Sequence, residues 1–114
     1  MSADRELLEL AAKACAWQRH DPKELDSRTD VVAWLDPSTG DVYWLDIWNP
    51  LTDDGDALRL AVKLRMDVKQ WNSLVIAVKA WNSHAEENTF TQCPYAATRR
   101  AIVRAAAAIG KAKP

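Results

Sequence analysis

The sequence predicts an α+β domain in the order α-β-β-α-β-β-α, with a four-stranded, mainly antiparallel sheet and three helices. Three observations carry this. Asp36-Pro37-Ser38-Thr39-Gly40-Asp41 is turn chemistry between two apolar runs, with Pro presetting φ and Gly allowing φ > 0. Leu74-Val75-Ile76-Ala77-Val78 is apolar on both faces, the pattern of a strand covered on both sides. Trp48 to Arg65 reads as a strand exit, a turn, an acidic cap and an amphipathic helix. The 114 residues suit one domain over 1–114 with a modest core.

In chain order, Ser2 or Asp4 caps a first helix running to Cys15 or Trp17, with Leu7, Leu10, Ala11, Ala14 and Cys15 as its apolar face. Residues 18–30 are polar, hold Pro22 and show no period, so they read as a loop with one short helical turn at 22–26. Val31–Leu35 and Val42–Trp48 form a hairpin. On its second strand Val42, Trp44, Asp46 and Trp48 share one face.

Pro50 stops that strand, and Thr52 or Asp53 caps the next helix by accepting from orphan backbone N–H groups. Asp54 and Asp56 fall in its first turn, where the helix dipole favours negative charge. Leu58, Ala61, Val62 and Arg65 recur at i, i+3, i+4 and i+7, with Leu60 and Leu64 widening the stripe. Met66–Trp71 and Leu74–Trp81 are the third and fourth strands, joined by Asn72-Ser73. Residues 82–93 read as a solvated loop in which Thr89-Phe90-Thr91 pairs briefly as an edge strand. Pro94 opens the last helix, Thr98, Ala101, Ile102, Ala105 and Ile109 set its buried face, and Gly110 ends it, leaving 110–114 as a frayed tail.

The stretch WNPLTDDGDALRLAVKL (48–64) resembles a segment of small phage and prophage proteins similar to the phage ABA-sandwich domain group. The opening run from Arg5 to Ala14 and the run from Ala96 to Ala106 resemble the first and closing helices of that group. The resemblance implies a sheet between helical layers and a phage-encoded accessory protein in the cytoplasm of a bacterial host. It brings no catalytic or ligand residue with it.

Composition is ordinary for a globular protein, at 48% hydrophobic and 27% charged. The first helix is charged and lacks a cleavage-site pattern, and no apolar run approaches membrane length, so neither an export signal nor a membrane role is expected. The net charge of −1 hides segregation: residues 1–56 carry −8 and residues 57–114 carry +7. Such asymmetry points either to a polyanion-binding face or to halves that interleave on folding.

No constellation of residues indicates catalysis or a cofactor. Asp46, Asp53, Asp54 and Asp56 lack the alternating ligands and distal Glu of a calcium loop, so a structural cap is the reading preferred over a metal. Cys15 and Cys93 are too few for a disulfide framework and, with His20 and His84, have no zinc spacing; Cys93, beside a helix start, is the thiol whose pKa that position lowers. There is no phosphate-cradling glycine loop. The expectation is therefore a non-enzymatic protein that binds a host protein, a defence or regulatory factor. Six tryptophans are many for a small core, and Trp44 and Trp48 flank Asp46 on one strand face expected near solvent. Trp44, Asp46 and Trp48, with Arg99, Arg100 and Arg104 on the last helix, are the candidate partner-binding residues. The alternative is a nucleic-acid or nucleotide-like anion binder through those arginines with Lys63 or Arg65, against which the pI near 6.1 weighs. Pairing of the acidic and basic halves between chains would instead give self-assembly.

Overall fold

A computed structural model describes residues 3–20, 33–44, 48–71, 74–79, 84–88 and 93–113. The order is α1 (Ala3–Ala14), β1 (Gln18–His20), β2 (Ala33–Leu35), β3 (Val42–Trp44), α2 (Asp54–Leu64), β4 (Asp67–Gln70), β5 (Leu74–Val78), β6 (Ala85–Asn88) and α3 (Pro94–Ala112). The class is α+β as expected, with three helices. The expected single four-stranded sheet is not what forms among the described residues. The two hairpins stay apart and each acquires a third strand, giving antiparallel sheets β1-β2-β3 and β4-β5-β6.

The extra strands have physical reasons that hydropathy does not carry. Gln18-Arg19-His20 has no apolar alternation, yet it pairs with β2 in the register Gln18↔Leu35. That pairing is a main-chain interaction and needs no apolar side chain. Ala85-Glu86-Glu87-Asn88 reads as solvated, but the Glu87 carboxylate meets Arg104 and, at 3.7 Å, Arg100 on α3. With that charge compensated, the segment docks beside β5. The proposed helical turn at 22–26 and the edge strand at 89–91 lie outside the described residues.

The β2–β3 hairpin forms in the register Leu35↔Val42. Its turn is tied by Asp36, whose Oδ1 accepts from Ser38 N (2.9 Å) and Ser38 Oγ (2.7 Å), while Gly40 N donates to Asp36 O (2.8 Å). Gly40 supplies the left-handed φ of 79° that closes it.

Helix α3 is the hub. It packs on α1 and α2 and against β5 and β6 of the second sheet. Ala97, Ala101, Ile102, Val103, Ala105, Ala106 and Ala107 are all buried, far more of its circumference than the single expected stripe. A helix enclosed on several sides needs a broad apolar face, and the arginines of α3 are left to the remaining side. Small residues let α1 approach closely through Ala11 and Ala12. Gly110 does not end the helix. It is buried inside it, where an added Cβ would fall onto the carbonyl oxygen of Leu10. Nor are residues 110–113 frayed: Lys113 Nζ donates to Ala14 O (3.0 Å) and Lys13 Nζ to Lys113 O (3.1 Å), pinning the ends of α1 and α3 together, while Pro114 lies outside the described residues.

Helix α2 keeps its predicted cap and buries Leu60, Ala61 and Leu64 of its expected stripe, but takes Ala57 inward in place of Leu58 and Val62. Asp53 is the N-cap, its Oδ2 accepting from Asp56 N at 2.8 Å. Asn49 Oδ1 accepts from Leu51 N (3.0 Å), and Asp56 Oδ2 from Asn49 N (3.0 Å), so the turn before the helix is closed by its own side chains. Ala57, Leu60, Ala61 and Leu64 are buried, whereas Leu58 and Val62 are 64% and 67% exposed. Both sets have helical spacing, but the stripe through Leu58 ends on charged Arg65. The stripe through Ala57 is apolar throughout and small enough to pack closely on α3. On β5, Val75 and Ala77 are buried, while Leu74, Ile76 and Val78 on the other face are half-buried, so burial is complete on one side only.

Candidate functional site

The residues expected at a partner surface are distributed differently. Trp48 is a core residue, only 5% exposed. It packs edge-on against Trp17 (centroids 5.1 Å, 70°), which stacks on Tyr43 (4.2 Å, 8°). Three aromatic rings bury more apolar area together than any of them would in solvent, and the chain continues from Trp48 into the closed Asn49 turn rather than along an exposed strand. The expectation of a solvent-facing Trp44/Trp48 pair thus fails at Trp48. Trp44 pairs with Ala33 through its backbone, and its side chain and all of Asp46 lie outside what is described.

The arginines of α3 are committed within the chain. Arg99 Nε donates to Leu51 O (2.9 Å) and Nη1 to Asp54 Oδ1 (2.6 Å). Arg100 meets Asp4 at 3.2 Å and Glu87 at 3.7 Å. Arg104 meets Glu87 and donates to Glu86 O at 2.9 Å. Lys63 lies 3.6 Å from Asp36, and Arg59 2.7 Å from Asp56. The acidic and basic halves therefore interleave inside one chain. The bound carboxylate of Asp36 has its pKa lowered, chiefly by the Ser38 hydroxyl and amide and then by the Lys63 charge. The Trp17 indole N–H contributes to the same lowering without reaching hydrogen-bond geometry.

The thiols differ sharply. Burial pushes Cys15 up to about 11. Cys93 is exposed, and the backbone amides of Ala96 and Tyr95 at the start of α3, with a smaller contribution from the Arg99 charge, favour its thiolate. The sulfur does not make a full capping hydrogen bond there. His84 Nε2 lies 3.1 Å from Glu86 Oε1 on the surface; the His20 side chain lies outside what is described. Among the described residues no three His, Cys, Asp or Glu side chains converge as a metal site would need.

The feature that remains is a groove of about 520 Å³. Ala57, Leu58 and Ala61 of α2 form one wall, Val68 and Gln70 of β4 the other, and Tyr95, Thr98 and Ile102 of α3 the floor. Polar groups gather at one end, where Arg99 holds Asp54 and Gln70 Nε2 approaches Thr98 Oγ1 at 3.5 Å. Tyr95 is 69% exposed and Leu58 stands on the rim, with Val62 one helical turn away. A second cleft, against Cys15, Trp17 and Asp36, holds about 100 Å³, smaller than ordinary ligand sites. A wider depression along α1 ends on buried Trp34 and offers charged Glu6, Glu9 and Lys13 at its rim. The groove is not legible in the sequence, because the helical spacing of Leu58 and Val62 predicts both in the core. The charged end of their stripe, Arg65, was the signal that could have exposed them.

Among the described residues no helix is long and apolar enough to cross a membrane. Comparison with protein-family models, with curated proteins and with solved structures finds no match.

Proposed function

We infer that this chain is a non-enzymatic binding protein, a phage accessory protein of the kind its sequence resembles, and that it acts in the bacterial host by docking an apolar segment of a host protein into the α2–α3–β4 groove. The observation that carries this reading is the exposed apolar side chains at that groove, Leu58 and Tyr95 with Val62 beside them. Contiguous exposed apolar surface with a polar rim marks interaction sites, and a tyrosine at such a site is a frequent energetic anchor. The polar end, with Gln70, Thr98 and the Arg99–Asp54 pair, would fix the orientation of the docked segment.

Binding of nucleic acid through α3 is the weaker reading. Neutralising phosphates takes uncommitted cations, and Arg99, Arg100 and Arg104 each already hold a carboxylate.

The test is affinity capture from nuclease-treated host lysate with the wild type and with Leu58→Asp/Tyr95→Ala in parallel. A host protein retained by the wild type, lost by the variant and rebinding when purified supports the reading. Capture that ignores the variant, or no retained host protein, overturns it.

A further inference from the structure

We propose that the outer edge of β4 pairs with the β4 edge of a second copy, joining the two β4-β5-β6 sheets into one antiparallel six-stranded sheet with Val68 on the two-fold axis. Hydrogen-bond direction decides which main-chain groups of β4 face outward. Trp71 N donates to Leu74 O at 2.8 Å, and the register runs Gln70↔Val75, Lys69↔Ile76, Val68↔Ala77 and Asp67↔Val78. In an antiparallel ladder the main-chain groups of successive residues alternate toward and away from the partner strand. Trp71, Lys69 and Asp67 therefore turn theirs toward β5, and Gln70 and Val68 turn theirs away. Among the described residues no strand takes the outward groups.

The other edge of this sheet is managed differently. On β6 the Glu86 carbonyl is held by Arg104, and Glu86 and Glu87 add negative charge along the strand. Edge strands are commonly protected by charge, lysine above all. Lys69 has that effect on β4 unless an acid stands opposite it.

The sequence of β4 supplies the acid. With Val68 facing Val68 of the second copy, Asp67 of each copy stands opposite Lys69 of the other, and Gln70 stands opposite Met66. Opposite charges directly across a ladder stabilise it, and like charges disfavour it. Moving the centre one residue along, to Lys69, places the two lysines face to face. Centring on Val68 thus combines the outward main-chain groups with matched charges. The Met66 N–H is already given to Ala61 O at 3.0 Å. The seam therefore uses Val68 N–H to Val68 O and Gln70 N–H to Met66 O, each twice by symmetry. Val68 also lines the groove, so the two grooves would abut at the axis. Trp71, 55% exposed, directly follows the pairing residues and adds apolar surface beside the seam.

This inference does not rest on host-protein binding, although the seam uses Val68 and Gln70 of the same groove, and its test needs only the purified chain. Sedimentation equilibrium across the micromolar to millimolar range is expected to show mass rising from 12.8 kDa toward twice that. Lys69→Asp and Asp67→Lys, each on an exposed side chain, are each expected to weaken association about tenfold or more by setting like charges across the seam. The double variant Asp67→Lys/Lys69→Asp is expected to restore it. Hydrogen exchange at the Val68 and Gln70 amides should slow with concentration in the wild type and not in the single variants. A wild type that stays monomeric overturns the proposal. So does a dimer indifferent to the single swaps, or one that the double swap fails to restore. Circular dichroism on each variant separates lost association from lost fold.

Discussion

Arg99 on α3 reaches back 45 residues to Asp54, Nη1 to Oδ1 at 2.6 Å, while its Nε holds Leu51 O at 2.9 Å. One side chain thereby fixes the turn before α2, and with it the rotation of that helix and one end of the groove. The two bonds are not equivalent. Asp54 is exposed, and an ion pair in water is worth about 0–1 kcal/mol. The Leu51 carbonyl is part-buried, and leaving such a group unpaired costs about 1–3 kcal/mol. Asp54→Asn is therefore expected to lower stability by less than about 1 kcal/mol, and Arg99→Ala by about 1–3 kcal/mol. Denaturant titration of both variants checks the order; equal losses would assign the stabilisation to the ion pair instead.

Two helices end on residues in the left-handed region where glycine is usual. Ala16 (φ 62°) follows α1, with Trp17 N donating to Ala12 O and Ala16 N to Lys13 O. Arg65 (φ 55°) follows α2, with Met66 N donating to Ala61 O and Arg65 N to Val62 O. Both are paired 6→1 and 5→2 closures of the Schellman kind. Glycine at such a position relieves Cβ strain, so Ala16→Gly is expected to raise stability by about 0.5–1 kcal/mol. Arg65→Gly should act in the same direction. A fall in the denaturation midpoint of Ala16→Gly would contradict the closure geometry.

Much of this architecture was legible before folding, and what was missed shares a cause. The Asp53 cap, the Asp36–Gly40 turn and strand β5 depend on residues within a few positions of one another, and local chemistry announces them. Strands β1 and β6 depend on partners elsewhere: main-chain pairing with Ala33–Leu35 for one, Arg100 and Arg104 for the other. The inward face of α2 was ambiguous only at its edges: Leu60, Ala61 and Leu64 are inside as expected, while contact with α3 took Ala57 in and left Leu58 and Val62 out. Gly110 looked like a helix stop because no sequence pattern reveals that Leu10 will lie against it. The candidate site was missed for the same reason, since its walls come from three elements that only tertiary packing brings together.

Gly110 yields a prediction of its own. An added methyl group meets backbone, the Leu10 carbonyl and the Ala14 N at 3.2 Å, and backbone cannot rotate aside. Gly110→Ala is ordinarily favourable within a helix by about 1 kcal/mol. Here the α1–α3 interface must open, and overpacking of that kind costs about 1–3 kcal/mol. The expected net result is a loss, with a lower melting temperature and faster hydrogen exchange in both α1 and α3. A variant as stable as the wild type would mean that the two helices lie further apart.

The two thiols are expected to part company in both reactivity and pH dependence. Cys93 is exposed and its pKa is lowered, so at neutral pH it should react with a thiol reagent faster than a free cysteine, while Cys15 waits for unfolding. For Cys15 the folded pKa is about 11 against an ordinary 9.0, so folding favours the protonated thiol. Between these values the unfolded chain has released the proton and the folded chain has not. Stability from this group is thus fully present below pH 9.0 and is lost as pH rises toward about 11. The loss is on the order of 2–3 kcal/mol, at about 1.4 kcal/mol for each pH unit separating the two values. Cys15→Ala removes the titrating group, so its stability should fall less steeply than the wild type over the same range. Parallel slopes for the two proteins, measured by urea titration at several pH values, would show that Cys15 ionises as readily in the folded chain as in the unfolded one.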